Sequence, residues 1–166
     1  MEIIEGSAYL LGDNINTDDI VPSHTLTFRD SDEMAKHTLE FIDPNFVEKT
    51  DKLNIIIAGN NFGTGSSREE AVNVFKILGI KAIIAKSFAR IYFRNLINNG
   101  IPAIAINWKN TDFKTGDVIK IDLNNGVIKN QTQKFSLEFS KLPPFLRELL
   151  TEGGIIKKLH NQFKLH

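Results

Sequence analysis

The chain has 166 residues, 42% of them hydrophobic and 24% charged, which suits one well-filled core and excludes wholesale disorder. Twenty basic residues balance twenty acidic ones, so net charge leaves no footprint for nucleic acid or an anionic membrane. Cysteine is absent, which excludes disulfides, a cysteine nucleophile, a zinc–thiolate site and a cysteine-ligated iron–sulfur cluster held by this chain alone.

The acidic start, Met1-Glu2-Ile3-Ile4-Glu5, does not read as a signal peptide. The apolar runs fall far short of the roughly 20 residues that span a bilayer. Together with the missing cysteines, this favours a reducing, cytoplasmic compartment. There is no repeat and no low-complexity tract, so residues 1–166 are read as a single domain.

Ala8-Tyr9-Leu10-Leu11 predicts a short strand, followed by a turn-rich loop from Gly12 to Asp19. Asp30 or Ser31 is placed to cap a helix running to about Phe41, with Glu33 completing a capping box. Asn54 to Ala58 is a short apolar run with β-branched Ile55, Ile56 and Ile57 at its centre, as expected of a strand covered on both faces. After the loop Gly59-Asn60-Asn61-Phe62-Gly63-Thr64-Gly65-Ser66-Ser67-Arg68, apolar residues at 71, 74, 75 and 78 predict a helix ending at Gly79. Ile80 to Ala85 is a second buried strand. Ser87 is placed to cap a helix whose inner side would carry Phe88, Ile91, Tyr92 and Leu96, and Pro102 to Ile106 is a third strand. This order implies parallel strands with right-handed crossovers.

The last third changes character. Val118 to Leu123, the hairpin signal Asn124-Asn125-Gly126, Val127-Ile128 and Phe135 to Phe139 predict antiparallel strands. Helices over 145–150 and 155–160 follow. The expected fold class is α/β.

The segment from Gly59 to Arg68 carries the most chemical information. Ligands of open α/β sheets bind beyond the carboxyl ends of the strands, and this loop lies there. Ser66 and Ser67 are expected at the helix start, where unpaired N–H groups and the dipole favour an anion, and Arg68 adds a fork suited to a carboxylate or phosphate. A glycine-rich turn with a capping serine is the simpler alternative. The Walker pattern is excluded for want of its lysine, and neither the dinucleotide fingerprint nor the serine-hydrolase elbow is present.

Asp13, Asp18 and Asp19 are acidic, but Ile15 breaks any EF-hand spacing, so no metal ligands are assigned. Arg90 and Arg94 share a helix face. The histidines at 24, 37, 160 and 166 read as structural or surface residues, Lys157-Lys158 as a solvated face, and Trp108 as core.

Three motifs together carry a resemblance: Gly12 to Ile20 followed by Pro22, Gly59 to Glu69, and Lys86 to Gly100. In order and spacing they resemble the small-subunit family of 3-isopropylmalate dehydratase, in the aconitase superfamily. The closing helices look like the family's tail. The resemblance implies a three-layer β/β/α swivelling domain with a parallel central sheet and an antiparallel C-terminal part. It would dock on a large subunit holding a four-iron four-sulfur cluster, with no cofactor bound by this chain and the isolated chain free to form a homo-oligomer.

The implied reaction moves a hydroxyl between adjacent carbons by losing and regaining water. By motif, Ser66 matches the serine base, Asp18 an aspartate that orients groups across the domain interface, and Arg68 a group that holds substrate carboxylate. Ser67 contributes a backbone amide or packing. Glu70 stands where many relatives have histidine. The segment His24 to Arg29 departs from the Tyr-Leu-Arg common in isopropylmalate enzymes, which makes Arg29 a candidate for carboxylate recognition. A homoaconitase or related hydroxy-acid dehydratase subunit is therefore the nearest alternative. A non-catalytic anion-binding module is the alternative of a different class.

Overall fold

The computed structural model describes residues 3–164. Seven strands form one sheet in the order β4-β3-β2-β1-β5-β6-β7. These are β1 (Ile3–Leu10), β2 (Ile55–Ala58), β3 (Ala82–Ala85), β4 (Ala103–Ala105), β5 (Val118–Asp122), β6 (Val127–Asn130) and β7 (Phe135–Glu138). Pairing is parallel from β1 through β4 and antiparallel from β1 through β5 to β7. The expected parallel centre and antiparallel C-terminal part are thus both present.

β1 is longer than its apolar run predicts and changes neighbours along its length. Residues 3–7 pair with β5, and residues 8–10 pair with β2. The first half was hidden because Glu5, Gly6 and Ser7 break the apolar pattern, yet all three pair with β5, while the Ser7 N–H donates to the Asn54 side chain and the Glu5 carbonyl accepts from Lys81.

Every residue of β2 and β3 is buried, the pattern of strands covered on both faces. The covering helices are α1 (Thr17–Ile20), α2 (Ser31–Ala35), α3 (Phe46–Lys49), α4 (Glu70–Ile77), α5 (Arg90–Asn98), α6 (Pro144–Thr151) and α7 (Ile155–Lys164). α2 packs on α4, and α5 packs on α6. One connected core runs through both halves, with Phe46, Phe62, Phe75 and Phe113 fully enclosed. Trp108 belongs to it as expected, its indole N–H donating to the Ala58 carbonyl at 2.8 Å.

Several local expectations are corrected. α2 stops at Ala35 and does not reach Phe41, because the Thr38 hydroxyl turns back to the Ala35 carbonyl and Leu39 takes a left-handed conformation. Asp30 caps α2 by accepting from the Asp32 amide, while Glu33 pairs with Lys36 and does not complete a box. On α5, Ile91 faces outward and Ile97 is buried in its place. Lys158 is no solvated cation: it lies over the Phe145 ring and pairs with Glu148 at 2.9 Å. Among the described residues, no helix is long and apolar enough to cross a membrane.

Candidate active site

The three motif loops leave the carboxyl ends of β1, β2 and β3 side by side, and backbone hydrogen bonds join them. Gly59 N–H donates to the Gly12 carbonyl, Asn14 N–H to Asn60, Gly63 N–H to Ile15 and Thr17 N–H to Thr64. The third loop closes on the second through Phe62 N–H to Ser87, Lys86 N–H to Gly59 and Ala89 N–H to Phe62. Such bonds depend on chain path, so a few side chains suffice to finish the arrangement. Asp13 is one of them: its carboxylate accepts from the Asn60 amide at 2.7 Å.

Two glycines make this closeness possible. A Cβ on Gly59 would lie 1.8 Å from the Asp13 carboxylate. Gly63, at φ +84°, has the Tyr92 ring where its Cβ would stand, 2.2 Å away. Beneath the loops Phe62 packs against Phe75, Phe88 and Tyr92. The buried Tyr92 hydroxyl donates to the Ala71 carbonyl at 2.7 Å, and burial pushes its pKa well up, so it stays a neutral strut.

The acidic cluster divides into separate tasks. Asp19 forms a capping box with Asn16: the Asn16 side chain accepts from the Asp19 amide at 2.8 Å, and the Asp19 carboxylate accepts from the Asn16 amide at 2.9 Å. Asp18, the next residue outward, points to the second loop, where its Oδ1 lies 2.7 Å from Arg68 Nη1. No N–H of that nitrogen is aligned on a partner, so the contact is an ion pair without a linear hydrogen bond. The guanidinium is mostly covered (23% exposed) while Asp18 is open (64%). Arg68 is thus oriented, with donor directions left for a second carboxylate.

Ser66 and Ser67 are exposed in the loop between Gly65 and Arg68. Here the structure corrects the sequence expectation. The first helical residue is Glu70, with Glu69 in the capping position, so neither serine sits at the helix start. The dipole of α4 fades within its first turn, and Arg68 follows Ser66 by two residues in the loop. Ser87 does not cap α5; its hydroxyl accepts from the Asn61 amide at 2.8 Å, and Ala89 takes the capping position.

A small cavity of about 210 Å³ lies behind the serine loop, lined by Thr17, Gly63, Gly65, Ser67, Arg90 and Tyr92 among others. The Thr17 hydroxyl is buried there and finds no hydrogen-bond partner among the described residues. Arg90 and Arg94 are both exposed on α5, as their spacing predicts. Arg29 is exposed in the stretch between a 3-10 turn (Ser23–Thr25) and α2; no hydrogen bond or ion pair of the described residues joins it to Ser66 or Arg68.

Residues 7–109 match the model of the aconitase C-terminal domain family. A protein of Nautilia profundicola named 3-isopropylmalate dehydratase small subunit is 45% identical over 156 residues, covering 94% of this chain and 93% of its own length. A Thermotoga maritima protein named 3-isopropylmalate dehydratase small subunit 1 is 46% identical, covering 97% and 98%. The crystal structure of a 3-isopropylmalate dehydratase from Methanocaldococcus jannaschii superposes with a TM-score of 0.90 at 40% identity, covering 98% of this chain and 96% of that one. Sequence and fold agree over nearly the whole length, and the chain belongs to the 3-isopropylmalate dehydratase small-subunit family of the aconitase superfamily.

Proposed function

We propose that this chain supplies the proton-transferring serine and the carboxylate-binding arginine of a 3-isopropylmalate dehydratase, a hydro-lyase of leucine biosynthesis, with the metal chemistry on its large subunit. The observation that carries the reading is the joined loop edge. It leaves Ser66 exposed two residues from an arginine whose direction Asp18 sets.

A serine hydroxyl is a feeble base at neutral pH and needs its alkoxide stabilised. In this reading Arg68 takes that task, and its remaining donors bind a substrate carboxylate. As the alkoxide, Ser66 then takes the proton from the carbon adjacent to the hydroxyl-bearing one, the C–H electron pair becomes the double bond, and the hydroxyl leaves the neighbouring carbon as hydroxide. Returning water with the two positions exchanged moves the hydroxyl from one carbon to the next. Ser67 lines the cavity behind Ser66 and contributes packing there. Asp18 acts through Arg68, as a positioning residue.

The chain has no cysteine, so an iron–sulfur cluster belongs to the partner. When bound there, the cluster supplies a Lewis acid toward the departing hydroxyl. Arg29, exposed just before α2, is proposed to meet a second carboxylate of the substrate.

The test uses the complex reconstituted with its large subunit, assayed with 2-isopropylmalate and homocitrate side by side. Ser66→Ala should lower kcat by at least about two decades with little change in KM. Arg68→Lys should raise KM, since a point charge does not reproduce a bidentate fork. Full activity in Ser66→Ala overturns the serine assignment, and preference for homocitrate overturns the substrate.

A further inference from the structure

Three side chains far apart in sequence role meet beside the loop that carries Arg29. His24 stands in the 3-10 turn, and His37 and Glu40 stand in the turns after α2. One carboxylate oxygen of Glu40 contacts His24 Nε2, and the other lies 2.6 Å from His37 Nδ1. One nitrogen from each ring and a carboxylate oxygen all lie within 4.8 Å of one another.

The backbone beneath them is fixed. The Thr25 hydroxyl donates to the Pro22 carbonyl and the Thr38 hydroxyl to Ala35, both buried. Leu39 N–H donates to the Ile20 carbonyl, which ties this turn to the end of α1. The rings are also packed: the two imidazoles stand edge to face at 5.2 Å, with Phe28 and Phe41 against them. The donors therefore converge without having to be gathered first.

We propose that His24, His37 and Glu40 form a binding site for a divalent transition cation of the zinc type, which clamps the 22–30 loop to the segment after α2. Two imidazole nitrogens and one carboxylate oxygen suit zinc and its first-row neighbours, whereas magnesium and calcium favour all-oxygen shells. Zinc bonds of about 2.0–2.2 Å place tetrahedral neighbours roughly 3.3 Å apart. Small side-chain rotations open the present contacts to that spacing, and a bound cation displaces any proton held between the donors. His24, His37 and Glu40 are 48%, 34% and 26% exposed, so an ion can enter and a fourth position remains open to water. The proposal stands apart from the serine mechanism and survives its failure.

The test is a titration of the full-length chain at pH 7.5, with Zn²⁺ against a chromophoric chelator and with Co²⁺ followed by its visible absorption. One equivalent should bind with micromolar or tighter affinity, and Co²⁺ should show a four- or five-coordinate spectrum. Excess Mg²⁺ should not compete. His24→Gln and Glu40→Gln should each weaken Zn²⁺ by more than about tenfold, the loss that even an outer-shell change can bring. Zn²⁺ should raise the Tm of the wild type and not that of His24→Gln. Absence of saturable Zn²⁺ binding overturns the proposal. So does binding that both variants retain unchanged, which would place the ion elsewhere, for example at His160.

Discussion

The two halves of the sheet are built from different patterns. β2 and β3 are enclosed along their whole length, whereas β5, β6 and β7 alternate between covered and open positions. The enclosed half ends in three loops that are bonded to each other through the backbone, and Asp18, Ser66, Ser67 and Arg68 stand on two of them, while Arg29 lies outside. The alternating half ends in α7, whose Ile156 and Phe163 are exposed at 76% and 78%. Two-sided burial thus goes with an edge whose loops are joined through the backbone and carry the Asp18–Arg68 pair, and one-sided burial with a more exposed periphery.

The sharpest way to break this contrast is to empty the core beneath the loops. Phe62→Ala removes a ring packed on three others, and it should cost about 3–5 kcal/mol in urea unfolding. A much smaller loss would mean that the loops are held independently of the ring cluster. Ser66→Ala is next: at least about a hundredfold loss of kcat in the reconstituted complex, with the melting temperature of the chain unchanged. Tyr92→Phe leaves the buried Ala71 carbonyl without its hydroxyl donor and should cost about 1–3 kcal/mol in the same unfolding assay.

A pH experiment sharpens the comparison further. The Asp43 carboxyl is lowered to about 2, first by its hydrogen bond with Lys49, then by those from the Tyr9 hydroxyl and the Asn45 amide. A lowered carboxyl stabilises the fold above its unfolded value of about 4, and that contribution is lost as pH falls from about 4 toward 2. Asp43→Asn should therefore flatten the acid limb of the stability curve between those values, read from thermal melts across pH. At the weak end, Phe163→Ser on the open face of α7 should change stability by less than about 0.5 kcal/mol.

The parallel strands were legible because short apolar runs rich in isoleucine, such as Ile55 to Ala58 and Ala82 to Ala85, have few other uses in a chain of this size. The three motifs named the site loops, and the structure brings all three to one edge. Other details could not be read locally. Asn16 and Asp19 form a capping box that departs from the usual serine–glutamate spelling. α2 ends early because of a left-handed Leu39 and a folded-back Thr38, a choice set by the contact between Leu39 and Ile20. The serines fall outside α4 because the loop spends residues 64–69 on reaching the first loop before turning helical. The meeting of His24 with His37 required knowing where the 3-10 turn lies. The spacing of His37 and Glu40, three apart, was the one available hint.

The divided partnership of β1 bears on how the molecule is made. Its first residue in the ladder, Ile3, pairs with Asp122, and its last, Leu10, pairs with Ile57. A nascent chain can therefore seat the second half of this strand early, while the first half must wait until most of the protein has left the ribosome. Non-local closures of this kind slow folding and leave an unpaired edge in the interval. The 3–7 half of β1 thus emerges well before its β5 partner, which makes it a place where a chaperone would have much to shield.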